Sequence, residues 1–154
     1  NLKYKNELNF KDRLICLICE KLSFYFLSII TICREITMGR LTTHVLDTAR
    51  GKPAANLEID LIRINGDIET VLKTVITNAD GRCDGPLLED DAMIRGRYKL
   101  VFHAASYLRD MGDDLPEFPF LDDVVIAFGI DREDQHYHVP LLLSAYGYST
   151  YRGS

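Results

Sequence analysis

From residue 40 onward, apolar and polar residues alternate in short runs, each closed by glycine, proline, asparagine or aspartate. "RLTTHVLD" (40–47) is rich in Thr, Val and Leu, and "TARGKP" breaks it with Gly51 and Pro53. "LEIDLIRI" (57–64) places Leu57, Ile59 and Leu61 on one face and charged residues on the other, the period of a half-buried strand. "NGD" (65–67) is a hairpin turn signal, and "IETVLKTVIT" (68–77) is its partner strand. "NADGR" (78–82) predicts another turn, and "GRYKLVFHA" (96–104) a strand with Tyr98, Leu100 and Phe102 in alternation. "DDVVIAFGI" (122–130), "HYHVPLLLS" (136–144) and "YGYSTYR" (146–152) complete the set. One stretch differs: "AASYLRDMG" (104–112) has helical composition and ends at a glycine. Short strands at hairpin spacing predict an all-β, two-sheet sandwich of about eight strands with one short helix. No repeat or linker divides this body.

Residues 1–37 do not share the pattern. They lack glycine and proline, and the first methionine of the chain is Met38. Three readings stand for this segment. It is a vestigial leader upstream of a true start at Met38, a secretory signal or anchor, or an amphipathic packing helix. "LSFYFLSIITIC" (22–33) has the length of a signal peptide's apolar core, but no small-residue cleavage site follows it. Glu20 and Lys21 cut the run short of a membrane span. "CLIC" (16–19) has C-x-x-C spacing without a second ligand pair, so its cysteines read as incidental. The expectation is an atypical leader over 1–37, outside the fold, and one domain over 38–154.

Composition narrows the function classes. The chain of 154 residues is 47% hydrophobic and 27% charged, enough to bury a core. Net charge is −5 with no Lys/Arg cluster, so nucleic acid is not an expected partner, and neither is a membrane. Residues 38–154 contain a single cysteine, Cys83, so this body needs no oxidising compartment. A cytoplasmic setting is expected, or periplasmic export if the leader is a signal peptide.

Four stretches carry a resemblance: "LTTHVLDTARGKPAANLEIDL", "TNADGR", "GRYKLVF" and the terminal "HYHVPLLLSAYGYSTYRGS". Together they resemble the transthyretin-like family, and within it the 5-hydroxyisourate hydrolases, from about Arg40 to Ser154. The hormone carrier transthyretin shares the "VLD…RG.PA" and "LLS.Y.YST" patterns but lacks the histidines and the YRGS end. The resemblance implies two four-stranded sheets with one short helix, a homotetramer, and active sites at subunit interfaces. It implies His44, Arg82, His138 and Ser154 as catalytic residues. His44 and Arg82 are also implied to bind substrate, together with Tyr151, Arg152 and Gly153. It implies no metal and no cofactor.

The implied substrate is a small molecule, 5-hydroxyisourate, whose ring opens by hydrolysis of an amide-type bond to 2-oxo-4-hydroxy-4-carboxy-5-ureidoimidazoline. The reaction needs an activated water, a stabiliser for the developing oxyanion and a proton for the leaving nitrogen. Histidine suits the first and third tasks. Arginine suits the second, because its charged planar fork matches a flat, acceptor-rich ring. No Ser-His-Asp arrangement is evident, so direct attack by water is expected.

His136 and His138 are two apart and share a face of their predicted strand. By spacing alone they are also a zinc half-site, with no third ligand to complete it. A lone strand histidine is ordinarily a surface residue, Arg82 alone an ordinary post-turn residue, and Tyr146, Tyr148 and Tyr151 packing aromatics. The second reading of function is a non-enzymatic carrier of a flat aromatic ligand.

Overall fold

The structure is a computed structural model that describes residues 39–153. The expectations placed on residues 1–37 and on Ser154 lie outside the described residues. Two sheets face each other. One follows the order β2 (Lys52–Pro53), β1 (Arg40–Asp47), β8 (His136–Ser144), β9 (Gly147–Thr150), with β5 (Leu88–Glu89) also paired to β1. The other runs β4 (Ile68–Ile76), β3 (Glu58–Asn65), β6 (Gly96–Phe102), β7 (Val124–Ile130). One helix, α1 (Ala104–Asp110), follows β6.

Strand periodicity drives this arrangement. In β1, buried Leu41, Thr43, Val45 and Asp47 alternate with Thr42, His44 and Leu46, which are half-buried on the outer face. β8 buries Tyr137, Val139, Leu141 and Leu143 toward the same interior. From the second sheet come Ile59, Leu61, Tyr98, Leu100, Phe102, Val124 and Ile126, and α1 adds Ala104, Tyr107 and Leu108. Each fully buried aliphatic or aromatic side chain contributes roughly 1.5–3 kcal/mol of burial free energy.

The predicted strands and helix all form, with ends within about three residues of expectation. The two-residue strands β2 and β5 were not anticipated, and they raise the first sheet from three strands to five. Both are pieces of loop that pair along one edge of β1, at its two ends. Tyr146, Tyr148 and Tyr151, read as packing aromatics, are 73%, 47% and 59% exposed. The reason is position: β9 is an edge strand, and all four of its residues are exposed.

β1 and β8 form a parallel pair, in register from Arg40 opposite His136 to Asp47 opposite Leu143. Buried Thr43 reinforces it by donating from Oγ1 to the Val139 carbonyl at 2.7 Å. Parallel neighbours require a long crossover, and here the whole second sheet is inserted between them.

The inner end of β1 is anchored by charge. Asp47 is fully buried. It accepts from the Arg50 amide at 3.0 Å, from Arg50 Nη1 at 2.8 Å and from the Tyr107 hydroxyl at 3.1 Å. Arg50 also donates to Asp113 at 2.6 Å and to the Met111 carbonyl at 3.2 Å. The cluster therefore ties β1 of one sheet to α1 of the other. Burial pushes the Asp47 carboxyl up, but hydrogen bonds from Arg50 and Tyr107 outweigh it and hold the group below its ordinary value.

On the second sheet, His103 meets Asp123 through Nδ1 at 3.0 Å and Asp60 through Nε2 at 3.2 Å. Burial lowers the His103 pKa, but these two hydrogen bonds win and raise it. That makes His103 a structural pairing at the start of α1, away from the first sheet.

Removing the buried carboxylate while Arg50 stays should be costly. Asp47→Ala is expected to lower the unfolding free energy by on the order of 3 kcal/mol, read from chemical denaturation at neutral pH. A depressed carboxyl contributes stability above its unfolded pKa of about 3.9, lost as pH falls through the folded value. Asp47→Asn should therefore flatten the acid limb of stability against pH. An acid limb as steep as the native protein's would show that Asp47 does not carry it.

Candidate active site

The outer face of the first sheet carries the candidate residues. His44 lies at the middle of β1, and Thr42 precedes it on the same face. Along the outer edge of β1, between β2 and β5, the turn at 78–82 docks by main-chain pairing. Val45 donates to the Gly81 carbonyl at 2.8 Å, and His44 and Arg82 form an antiparallel bridge. The turn is closed by the Asn78 side chain, whose Oδ1 accepts from the amides of Asp80 at 3.0 Å and Arg82 at 3.2 Å. Gly81 has φ +69°, and a Cβ there would lie 2.4 Å from the Val45 carbonyl oxygen. Only glycine lets the turn approach this closely.

On the other edge of β1, His138 is opposite Thr42, and the two side chains meet at 2.9 Å between Thr42 Oγ1 and His138 Nδ1. Arg40, Thr42, Arg82, His136 and His138 line a cleft of about 280 Å³. His44 is not on the wall of this cleft. Its backbone is bridged to that of Arg82.

The chain end adds a second wall. The Gly153 amide donates to the His138 carbonyl at 2.8 Å. A Cβ on Gly153 would lie 2.8 Å from His138 Cδ2, 3.1 Å from its Cβ and 3.3 Å from its Cγ. The tail backbone therefore rides directly on the histidine ring. Arg152 places its guanidinium 4.5 Å above the Tyr137 ring and donates from Nη2 to Gln135 Oε1 at 2.9 Å. Its charge holds the tail down, a cation–π contact reinforced by a hydrogen bond. Gln135, His136, Tyr151, Arg152 and Gly153 line an adjoining space of about 640 Å³. His136 borders both spaces. Ser154 lies outside the described residues.

Electrostatics couple the two histidines to one arginine. Burial lowers the His44 pKa first and the Arg82 charge lowers it further, against a hydrogen bond from the ring to the Asp80 backbone and the charge of Asp80. Burial likewise lowers that of His138, followed by Arg82 and His44, against a hydrogen bond from the ring to the Thr42 backbone. Both imidazoles are thus biased toward the neutral form. Neutral imidazole can take a proton, and the neighbouring guanidinium can stabilise an oxyanion. No side chain of the described residues hydrogen-bonds the Arg82 guanidinium.

Sequence reasoning singled out His44, Arg82, His138 and the tail; the fold brings Arg82 and His138 to one cleft, sets Gly153 against His138, and bridges His44 to Arg82 off the cleft wall. It left Thr42, Arg40 and Gln135 without a role. Strand parity held the signal for two of them, since Arg40 and Thr42 share the face of His44. Cys83, beside Arg82, is half-buried against the core, and burial raises its thiol. Among the described residues no three His, Cys, Asp or Glu side chains are grouped to hold a metal ion.

Residues 41–153 match the HIUase/transthyretin family. The chain belongs to this family. Among curated relatives, 5-hydroxyisourate hydrolase 2 of Rhizobium meliloti is 60% identical over 116 residues, covering 75% of this chain and 97% of that protein. The 5-hydroxyisourate hydrolase of Mesorhizobium japonicum is 64% identical over 116 residues, covering 75% and 93%. Among solved structures, (S)-allantoin synthase aligns with a TM-score of 0.73 at 41% identity, covering 77% of this chain and 44% of that one. Klebsiella pneumoniae 5-hydroxyisourate hydrolase aligns at 0.58 and 32%, covering 75% and 99%. Sea bream transthyretin in complex with thyroxine aligns at 0.67 and 26%, covering 74% and 94%. The proteins similar to this chain thus include 5-hydroxyisourate hydrolases and a transthyretin solved in complex with thyroxine.

Two substitutions test this geometry. Arg82→Gln removes a charge that depresses both histidines, so the pKa values of His44 and His138 should both rise, followed by proton NMR of the ring C–H signals. Unchanged titrations would separate Arg82 from the histidines. Gly153→Ala forces the tail off the His138 ring. Misplacement on the 1 Å scale costs about 100-fold in rate, and turnover should fall on that order with little change in melting temperature.

Proposed function

We propose that this chain hydrolyses 5-hydroxyisourate to 2-oxo-4-hydroxy-4-carboxy-5-ureidoimidazoline, a step in urate degradation. The observation that carries the reading is the grouping of His138 and Arg82 in one cleft, with His44 bridged to Arg82, in a chain 60% and 64% identical to curated 5-hydroxyisourate hydrolases. In this reading the cleft takes the flat ring beside Arg82. A water loses its proton to an imidazole as its oxygen adds to the ring carbonyl. The carbonyl oxygen becomes anionic, and Arg82 stabilises it through charge-assisted hydrogen bonds. The carbon–nitrogen bond then breaks, the nitrogen takes a proton, and a carboxylate remains. His44 and His138 are the proton-carrying groups. Tyr151, Arg152 and Gly153 bound the site on the tail side, and Ser154 contributes its hydroxyl.

In this reading the chain assembles as a homotetramer with its sites at subunit interfaces. In support, β7 and β9 are edge strands of the two sheets among the described residues. A cytoplasmic setting fits a body whose described residues hold one free cysteine and no helix long and apolar enough to cross a membrane.

The second reading, a carrier of a flat aromatic ligand, is favoured by the likeness to the thyroxine-bound transthyretin at 26% identity. A carrier has no use for two histidines depressed by a shared arginine.

Generating 5-hydroxyisourate from urate with urate oxidase and following its ultraviolet decay decides between them. Catalysed decay supports the hydrolase, and a spontaneous rate with tight ligand binding supports the carrier. General acid–base groups contribute about 10²–10⁴-fold, so His44→Asn and His138→Asn should each slow turnover on that scale with assembly intact. A short tag after Ser154 should cut turnover strongly, whereas the same tag at the N-terminus should not. Equal turnover in the two tagged proteins would remove the chain end from the site.

A further inference from the structure

We propose that Thr42 is a positioning residue that fixes the proton of His138 on Nδ1, leaving Nε2 as the nitrogen that accepts a proton in the cleft. The inference rests on the hydrolase reading above.

Three of the ring's surroundings are already described. Parallel register sets Thr42 opposite His138, and Thr42 Oγ1 lies 2.9 Å from Nδ1. On the far side, the Gly153 backbone covers the Cβ, Cγ and Cδ2 atoms, so closely that a methyl group would not fit. What remains open is the Cε1–Nε2 edge, and no hydrogen-bond partner for Nε2 exists among the described residues. His138 also lines the cleft that Arg82 shares. The ring is gripped on two sides, so its free nitrogen has one direction in which to work.

A hydroxyl suits this place better than the alternatives. Neutral imidazole has two tautomers, and the partner of one nitrogen decides which nitrogen carries the proton. When Nε2 takes a proton from water, both ring nitrogens become donors, so the partner of Nδ1 must accept at that moment. Threonine accepts in both states. A carboxylate there would pair with the imidazolium and lift its pKa, against the effect of Arg82. A donor-only partner would oppose the charged state. The branched Thr42 side chain has little χ1 freedom. Its neighbour Thr43 bonds the Val139 carbonyl at 2.7 Å and locks the register that brings Thr42 to the ring.

The experiment compares the wild type, Thr42→Val and Thr42→Ser. Thr42→Val keeps the shape and removes the hydroxyl, whereas Thr42→Ser keeps the hydroxyl. The ring nitrogens of His138 are observed by NMR in protein labelled with ¹⁵N-histidine, and kcat and KM are measured across pH. The wild type is expected to carry the Nδ1–H tautomer. In Thr42→Val the two tautomers should mix and kcat fall roughly 10–100-fold, as for other outer partners that orient a histidine. KM should stay within about twofold, the pattern of an interaction that acts on the chemical step. Thr42→Ser should recover most of the rate and the wild-type ring signals. An Nε2–H tautomer in the wild type would overturn the proposal. So would unchanged ring signals and kcat in Thr42→Val. Wild-type protein inactive on 5-hydroxyisourate would instead overturn the hydrolase reading, and the ring signals would still decide the role of Thr42.

Discussion

The parallel pairing of β1 with β8 is the contact on which the site depends. It sets Thr42 against His138 on the outer face and Thr43 against Val139 on the inner one. The same hydrogen-bond ladder therefore serves the core and the chemistry. The opposite edge of β1 is patched by three short pieces, at 52–53, 81–82 and 88–89. Arg82 reaches the middle of the strand only because its turn can bond there. A one-residue slip along β1 would swap its faces, burying His44 and turning Val45 outward. Asp47 guards against that slip. Its bonds to Arg50 and Tyr107 fix the inner end of the strand against α1.

The sheet thus divides its labour by face. Inward side chains are apolar or, like Asp47 and Thr43, polar with their partners supplied. On the outward face Thr42, His44 and His138 are half-buried, and burial there lowers the pKa values of His44 and His138 without enclosing them fully. Desolvation disfavours the charged imidazole, and a fixed guanidinium nearby disfavours it again. Both effects push in one direction, which leaves two proton acceptors beside a permanent cation.

Much of this was legible in the sequence, because strand periodicity is a local property. The hairpin at Asn65–Asp67, the strands around it and the helix after Phe102 followed from alternation and turn residues. β2 and β5 did not, since two-residue strands have no period and exist only because β1 offers an edge. His44, Arg82 and His138 were found from chemistry and family likeness, but their relation to one another is tertiary. Spacing along the chain gave no hint that His44 and Arg82 would be bridged. Nor did it show that Arg152 would turn its charge to Tyr137 and Gln135. Thr42 was in view as a strand residue on the right face. Its partner lies 96 residues away, and only the fold names it.

That separation has a consequence for synthesis. β1 is made before the whole second sheet, and β8 and the tail follow it. Loop closure over such a distance is entropically costly, and pairing of distant strands is slow. No truncated or partly folded chain can hold the Thr42–His138 contact or seat Gly153 against it. Catalytic competence would then arrive in a single late event, so turnover measured during refolding would time the completion of the whole molecule.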